Sequence, residues 1–507
     1  MTQSRAWTFA FLLLILVWLG LFLYASGGVR GSDQYWYVSE VRAVVAGDPR
    51  TNSLWPHFLL GDPNYIESRP FIHQGAMPYI IASLGGVLDP YRAWIAFNLI
   101  AAGLGAWLIY TSLRRLDASP RVAGIAATLY LLLPSTLWHA SQPLVETTVA
   151  LLSAAMIAVA VRPWNPVVKF AVLIVLAMIG QQIITIFQPV LLAVLAGFLW
   201  AEWRGGGTRS IRLTLLYLLI AGLCFLLISL KESTLGFSIT QLMMNGTPGG
   251  TNMDLWLHEG TLPFSPRLFM GKLFANLLVF ATPNTNQIFF LPFFALLLAI
   301  GVGLFAKWRQ RADIRALLVG YVVLVALGVY AIVIMLHQNQ ARYILYILPI
   351  LIVAAAWLHH ERIERLLDRR AGTLAVSAAA LSLIAVGAVL AMTLRMESAT
   401  SARESAAFRR VMTGEPAVRD AKVLIECYHG GASLQLTYAI PEKLFVHISP
   451  EHSASQLKRI AERSGTDLLF CPAAAATSIR ESVPDLNLHP VATTKIGPIA
   501  YEISRID

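Results

Sequence analysis

Acidic side chains are concentrated in a segment that follows the first long apolar run of the sequence. Polar side chains gathered beside apolar segments mark functional sites in membrane proteins, because they are costly to place there. A carboxylate in such a position is suited to act as a general base, so the segment is a candidate site for acid–base chemistry. The polar residues of this segment include Asp33, Glu40, Asp48, His57, Asp62, Glu67, Arg69 and His73.

The residues around Asp33 have helical spacing. At 100° per residue, Asp33, Tyr37 and Glu40 share one face of a helix, and three valines at 38, 41 and 45 share another. Such a helix can lie on a membrane with its valines in lipid and its carboxylates facing a cavity. A second interpretation is that Ser32 or Asp33 only caps the helix N-terminus.

The composition excludes a soluble protein. Hydrophobic residues make up 56% of the 507 residues and charged residues only 13%, against roughly 45–50% and about 25% in typical globular chains. That much apolar surface must be solvated by lipid. A net charge of +10 would suggest nucleic acid in a soluble chain, but a membrane protein carries its Lys and Arg for another reason. No nucleic-acid partner is therefore expected.

Apolar runs long enough to cross a bilayer recur along the chain. A transmembrane helix needs about 20 mainly apolar residues, and the sequence predicts about eleven such spans. They are 7–24, 93–113, 122–138, 144–161, 167–187, 189–203, 213–230, 288–306, 316–336, 343–358 and 373–394.

The loops between these spans indicate their orientation. Every second loop is rich in Lys and Arg, which the positive-inside rule assigns to the cytoplasm. The N-terminus is then cytoplasmic and the C-terminus outside. Segments 25–92, 231–287 and 395–507 lie on the outer side, and the apolar stretch 268–281 is predicted to be interfacial or re-entrant.

The sequence divides at residue 394. Residues 1–394 form the membrane module, and 395–507 are charged and alternating, as in a small extracytoplasmic α/β domain. Strands are predicted at 422–426, 443–448 and 467–470, with an amphipathic helix at 453–463. Cys427 and Cys471 each end a strand and could form a disulfide, although two reduced buried cysteines fit equally well. The predicted fold class is mainly α, with this small α/β domain.

Three segments resemble the GT-C superfamily of membrane glycosyltransferases, which includes protein mannosyltransferases and aminoarabinose transferases. GSDQYWYVSEVRAVVAGDP resembles the region after the first span, and PFIHQGAMPYIIASL (70–84) is similar to a His-Pro-Pro-rich stretch, with Gln74-Gly75-Ala76 replacing the prolines. QARYILYILPIL (340–351) resembles an Arg-Tyr element that opens a late span. These matches are short, but the architecture of the whole chain is also similar.

The resemblance implies transfer of a sugar from a polyprenyl-phosphate donor to a glycan, lipid or protein acceptor at the outer face of a plasma or bacterial inner membrane, with inversion. It implies that Asp33 is the base and that Arg342 binds the donor phosphate. Physically, Arg342 could equally be a snorkelling anchor beside Tyr343. Further candidates for binding the phosphate are Lys272 and Arg69, followed by Lys231 and Arg267. Candidates for contacting the acceptor or lining the cavity are Tyr37, Glu40, Glu67, His73 and Tyr343.

The sequence does not decide whether the protein uses a divalent metal ion. His73 could orient the acceptor, bind a divalent metal or make a structural hydrogen bond, so no metal ligand is assigned. Glu146 could face the cavity or only complement a helix N-terminus. The alternative function is a transporter or flippase for polyprenyl-linked glycans. Such a protein should carry ionisable groups near the bilayer midplane, where this sequence has almost none.

Overall fold

The computed structural model describes residues 18, 20, 28–30, 32–47, 76–84, 88–183, 287–309, 341–427, 431–440, 442–448 and 454–506. The predicted spans 189–203, 213–230 and 316–336 lie outside these ranges, as do the stretch 268–281 and all but two residues of 7–24. Seven residues predicted for the site are also outside the described ranges: Glu67, Arg69, His73, Lys231, Arg267 and Lys272 entirely, and the side chain of Tyr343.

The N-terminal half of the described chain is helical. Proline at a first helical turn and a capping side chain before it set several helix starts: Asp89 accepts hydrogen bonds from the backbone N–H of Tyr91 and Arg92 at 3.0 and 3.4 Å. The helices are α1 (Ser32–Val45), α2 (Met77–Leu84), α3 (Pro90–Arg115), α4 (Pro120–Leu132), α5 (Pro134–Ala140), α6 (Glu146–Ala160), α7 (Pro166–Ile183) and α8 (Gln287–Arg309).

The C-terminal half begins with a 3₁₀ helix, Ala341–Tyr346, and ends in a sheet. The helices are α9 (Leu348–Leu358), α10 (His360–Leu367), α11 (Arg370–Gly414), α12 (Pro416–Arg419), α13 (Gly431–Ala439), α14 (Ala454–Ser464) and α15 (Ala473–Ser482). The strands are β1 (Val423–Cys427), β2 (Leu444–Ile448), β3 (Leu468–Pro472), β4 (Leu488–Ile496) and β5 (Ile499–Ile506).

Two helices of the described ranges, α3 and α11, are long and apolar enough to cross a membrane. Helices α4 and α5 together pass the same test but are bent by 55°, at the point where Pro134 cannot continue the helical hydrogen bonds. The predicted span 122–138 is therefore broken. Helices α6 and α9 are apolar but shorter, because 343–358 begins as a 3₁₀ helix and residues 144–145 precede α6.

Helix α11 does not end at the predicted boundary near residue 394. It has 45 residues and runs to Gly414, so it is roughly 68 Å long, more than twice the thickness of a hydrocarbon core of about 30 Å. Its second half packs on the C-terminal sheet through Phe408 and Met412, which are buried there. One continuous helix thus connects the apolar helices to the sheet.

The C-terminal α/β unit (residues 416–506) has a five-stranded sheet with the order β2-β1-β3-β5-β4. Strands β2, β1 and β3 are parallel, and β5 and β4 form an antiparallel hairpin beside them. Alternate side chains of β1 enter two cores: Leu424 meets the core that includes α11 and α13 residues, and Ile425 meets the core under α14 and α15.

The three predicted strands and the amphipathic helix are confirmed with small shifts at their ends. Cys427 and Cys471 form a disulfide with a Cα–Cα distance of 4.9 Å, which decides between the two alternatives. The sequence did not predict β4 and β5. Strand β4 is a sheet edge with most of its residues exposed, and β5 buries the polar Glu502 and Ser504, so neither strand has a simple apolar alternation.

Candidate functional site

Helix α1 presents the acidic segment to the apolar helices. Asp33 lies in its first turn, and Tyr37 and Glu40 follow on the same face, both buried. The valines do not face lipid as expected. Val38 and Val41 are buried in protein cores, against Tyr91 and Ile95 and against Met77 and Ile81 respectively, and only Val45 is exposed. The helix is thus enclosed by protein on both faces.

Arg342 joins two carboxylates that are far apart in the sequence. Its Nη1 forms a salt bridge with Oδ2 of Asp33, and its Nε lies 3.4 Å from Oε1 of Glu146. The Glu146 side chain is only 2% exposed, Arg342 is 19% exposed and Asp33 is 36% exposed. The three groups therefore form a partly buried cluster, called here the ionic triad, with Asp33 at its most accessible end.

The 3₁₀ helix sets the position of Arg342. Residues Ile344, Leu345 and Tyr346, which follow it, are completely buried in the main apolar core. Pro349 then lies in the first turn of α9. Because the segment after Arg342 is fixed in the core, the guanidinium is held at the end of an apolar element rather than on a free loop.

Glu146 begins α6, and a set of hydrogen bonds fixes the residues before it. Asn98 donates to the carbonyl oxygens of Gln142 and Leu144 at 2.6 and 2.9 Å, and Trp94 Nε1 donates to that of Leu144 at 3.1 Å. The Gln34 amide, next to Asp33, donates to Oε1 of Gln142 at 2.8 Å. Helix α3 thus places Glu146, and Gln142 links that placement to the start of α1.

Tyr37 is buried within electrostatic range of all three members of the triad. Its ring packs on Trp94 with centroids 5.1 Å apart. Burial raises the pKa of its hydroxyl well above the usual value, and the negative charges of Glu146 and Asp33 raise it further. Tyr37 is therefore a neutral hydroxyl at ordinary pH, able to donate a hydrogen bond but not to act as a base.

The structure brings together Asp33, Tyr37 and Arg342 from the predicted site, with Glu40 buried one turn further along α1. Glu146 begins α6, as the helix N-terminus interpretation predicted, and its side chain is also buried against Arg342. Sequence reasoning did not find Asn98 or Gln34, and it did not find Arg30, which donates to the carbonyl oxygen of Ser141 at 3.0 Å. Only their closeness to Asp33 or to the apolar runs could have indicated them.

Within the described ranges, no group of three or more His, Cys, Asp or Glu side chains is arranged to hold a metal ion. His73 and Glu67 lie outside these ranges. The ionic triad contains two carboxylates and a guanidinium, and a guanidinium cannot ligate a metal because it has no lone pair to donate.

Comparison with known proteins gives a fold and no close relative. No family model matches the chain, and no curated protein matches it. Two solved structures share its fold: ArnT from Cupriavidus metallidurans bound to undecaprenyl phosphate, with a TM-score of 0.56, and the same protein in the apo state, with 0.55. Each is 12% identical to this chain, and the alignments cover 97% of both chains in the first case and 98% in the second. The resemblance to the aminoarabinose transferases is thus confirmed at the level of the fold.

Proposed function

We propose that this protein is an integral-membrane glycosyltransferase that moves a sugar from a polyprenyl-phosphate donor to an acceptor at the outer membrane face. The observation that carries the proposal is the contact between Asp33 and Arg342, which come from two separate segments that resemble superfamily motifs. The shared fold with a protein whose structure holds undecaprenyl phosphate supports the same class of donor. A site of this kind needs a base and a cation close together, and the triad supplies both.

In the proposed reaction, Asp33 removes the proton from an acceptor hydroxyl or amine. The acceptor atom forms a bond to the anomeric carbon of the sugar while the bond from that carbon to the phosphate oxygen breaks on the opposite face, which inverts the configuration. The lipid phosphate leaves with the electron pair of that bond. A guanidinium beside a carboxylate favours its ionised form, which is the form that accepts a proton.

Arg342 is proposed to stabilise the charge that develops on the leaving phosphate, since guanidinium groups bind phosphate oxygens in a two-pronged geometry. In the structure this cation is already shared by Asp33 and Glu146. Donor binding would draw Arg342 toward the phosphate and release Asp33 for the acceptor. The contact between the two residues would then be a resting arrangement that the donor opens.

The charge of the triad has a further consequence for the donor site. Two carboxylates and one guanidinium carry a net charge of −1, which repels rather than attracts a phosphate. We therefore propose that a second cation contributes to the binding of the donor phosphate. Lys272 and Arg69 are the candidates predicted from the sequence, and a divalent ion would be an alternative source of positive charge.

The test is sugar transfer by the purified protein from a panel of radiolabelled polyprenyl-phosphate sugars to a lipid extract and to sugar acceptors. Asp33→Asn should lower kcat by about 10²–10⁴-fold, the usual contribution of a general base. The matched control is Asp89→Asn, because Asp89 is an exposed carboxylate whose bonds are to its own helix. Full activity of Asp33→Asn would remove this residue from the mechanism. Movement of intact lipid-linked sugar across vesicles without transfer would favour the flippase.

A further inference from the structure

The face of α1 opposite Asp33 is in contact with the C-terminal α/β unit. Residues two positions apart on a helix point about 200° apart, so Tyr35 lies nearly opposite Asp33. Tyr35 is 2% exposed, and its hydroxyl makes a 2.6 Å hydrogen bond with Oγ of Ser401 on α11. The amide of Gln435 on α13 donates to the backbone oxygen of the same serine at 2.9 Å. Ser401 therefore connects α1 to two elements of the C-terminal half.

A second contact lies further along α1. Tyr438, near the end of α13, packs against Tyr35 with ring centroids 5.0 Å apart. The Tyr438 hydroxyl accepts a 2.8 Å hydrogen bond from Nη2 of Arg42, whose guanidinium carbon is 4.2 Å from the Tyr438 ring centroid. Helix α13 thus touches α1 at two points, two turns apart.

A third contact fixes the chain just before α1. Ser398, one helical turn before Ser401 on α11, donates to the carbonyl oxygen of Gly28 at 3.1 Å. The positive charge of Arg30 also lies within electrostatic range of Glu397. Together the three contacts support one face of α1, from the residues just before it to Arg42 near its end. The opposite face carries Asp33, Tyr37 and Glu40.

We propose that Tyr35, Ser401 and Tyr438 are positioning residues, through which α11 and the C-terminal α/β unit hold α1 so that Asp33 meets the acceptor proton. This inference rests on the proposed function of Asp33. A general base works only within hydrogen-bond reach of its proton, and a displacement of about 1 Å can cost about 10²-fold in rate. A rigid support behind the base is therefore part of the catalytic geometry, although none of the three residues touches a reacting atom.

The Tyr35–Ser401 contact should dominate. It is buried, and burial raises the pKa of Tyr35 to about 12, so its hydroxyl keeps its proton at any assay pH. The bond between Arg42 and Tyr438 is solvent-exposed, and exposed contacts of charged groups contribute little. The aromatic packing of Tyr438 on Tyr35 is the stronger part of that second contact.

The experiment compares Tyr35→Phe, Ser401→Ala and the double variant with wild type in full-length protein. Tyr35→Phe removes one oxygen atom and keeps the ring, so the fold is retained. The control is Glu442→Gln, which breaks an exposed pair between the C-terminal unit and Arg409 of α11. We expect kcat to fall about tenfold in each single variant, with the donor KM within about twofold of wild type, because Arg342 lies on another element. The kcat of the double variant should be no lower than that of either single variant, since both substitutions remove the same hydrogen bond between Tyr35 and Ser401.

A second measurement does not depend on activity. Amide hydrogen exchange in detergent reports how firmly a segment is held, and we expect Ser32–Val45 to exchange faster in Tyr35→Phe and in Tyr438→Ala, with Glu146–Ala160 unchanged. If wild type transfers no sugar from any donor, the proposed function fails, while this exchange measurement still tests the support of α1. Two results would overturn the proposal. One is that residues 32–45 exchange no faster in Tyr35→Phe and Tyr438→Ala than in the control Glu442→Gln. The other is that Tyr35→Phe has the same kcat as wild type.

Discussion

Arg342 lies 3.4 Å from the carboxylate of Glu146, a residue that is separated from it by several helices in the sequence and is almost completely buried. A buried carboxylate is costly unless a cation accompanies it, so the two side chains depend on each other. Asp33 contacts the same guanidinium from the accessible side, so the two carboxylates share one cation. The charge of Glu146 therefore affects how strongly Arg342 binds Asp33, the proposed base. The Arg342–Glu146 contact is thus a structural ion pair, and we expect it to influence the proposed catalytic group, Asp33.

For Glu146→Gln we expect a loss of both stability and rate. The amide keeps the shape but not the charge, so the apparent unfolding free energy should fall by about 3 kcal/mol, the lower end of the cost of removing one partner from a buried ion pair. Arg342 would then interact more strongly with Asp33, which holds the base more tightly and lowers kcat. Thermal unfolding and transfer kinetics measure the two effects. Glu361→Gln, at a side chain that is 75% exposed, is the control and should change neither.

For Arg342 we expect the donor KM to respond to the shape of the cation. Arg342→Ala should raise the donor KM about tenfold or more, because it removes a charge-assisted bond to phosphate. Arg342→Lys keeps the charge but cannot contact two carboxylates and a phosphate in a planar geometry, so its KM should lie between those of wild type and alanine. Arg92→Ala, at a residue that is 77% exposed, is the control. An unchanged KM in Arg342→Ala would remove this residue from donor binding and leave it only a structural role in the ionic triad.

The pair Asp33 and Arg342 could be predicted from the sequence because each residue stands in a local motif. Asp33 begins a helical pattern, and Arg342 opens an apolar run. Their contact could not be predicted, since it depends on how α1 and the 3₁₀ helix pack against α6. The same holds for Gln34 and Gln142, which are 108 residues apart with no pattern that links them. Polar contacts over such separations are a product of the tertiary fold.

The strands of the C-terminal unit show the same limit in another form. Strands β1, β2 and β3 are short apolar runs between polar segments, so the pattern indicates them directly. The hairpin of β4 and β5 buries Glu502, which is satisfied by Arg480 at 2.8 Å and by Ser504. A buried carboxylate in a sheet is unexpected from composition alone, and the hydrogen bonds from Arg480 on α15 and from Ser504 offset the cost of burying it.

The disulfide should be a main source of stability of the α/β unit. Cys427 and Cys471 are 44 residues apart, and closing a loop of that length stabilises a fold by about 4 kcal/mol in the chain-entropy treatment. We expect Cys427→Ala with Cys471→Ala to unfold at lower temperature and to be cleaved faster by protease within 416–506. Helix α13 begins four residues after Cys427, so exchange of Ser32–Val45 should also rise. Equal protease resistance of the double variant and wild type would contradict this assignment.

The sidedness of the protein can be tested with single cysteines at exposed positions. Disulfides persist in oxidising compartments, so the Cys427–Cys471 bridge supports the prediction that the C-terminal unit lies outside the cytoplasm. The basic loops predict that α10 lies on the opposite side of the membrane. In a Cys224→Ala background, Ser482→Cys should react with a membrane-impermeant maleimide in intact cells, and Glu361→Cys should react only after the membrane is permeabilised. Both side chains are exposed, so accessibility within the protein does not confuse the comparison. If Ser482→Cys is protected in intact cells and Glu361→Cys is labelled, the orientation is reversed, and the ionic triad would then meet its substrates from the cytoplasm.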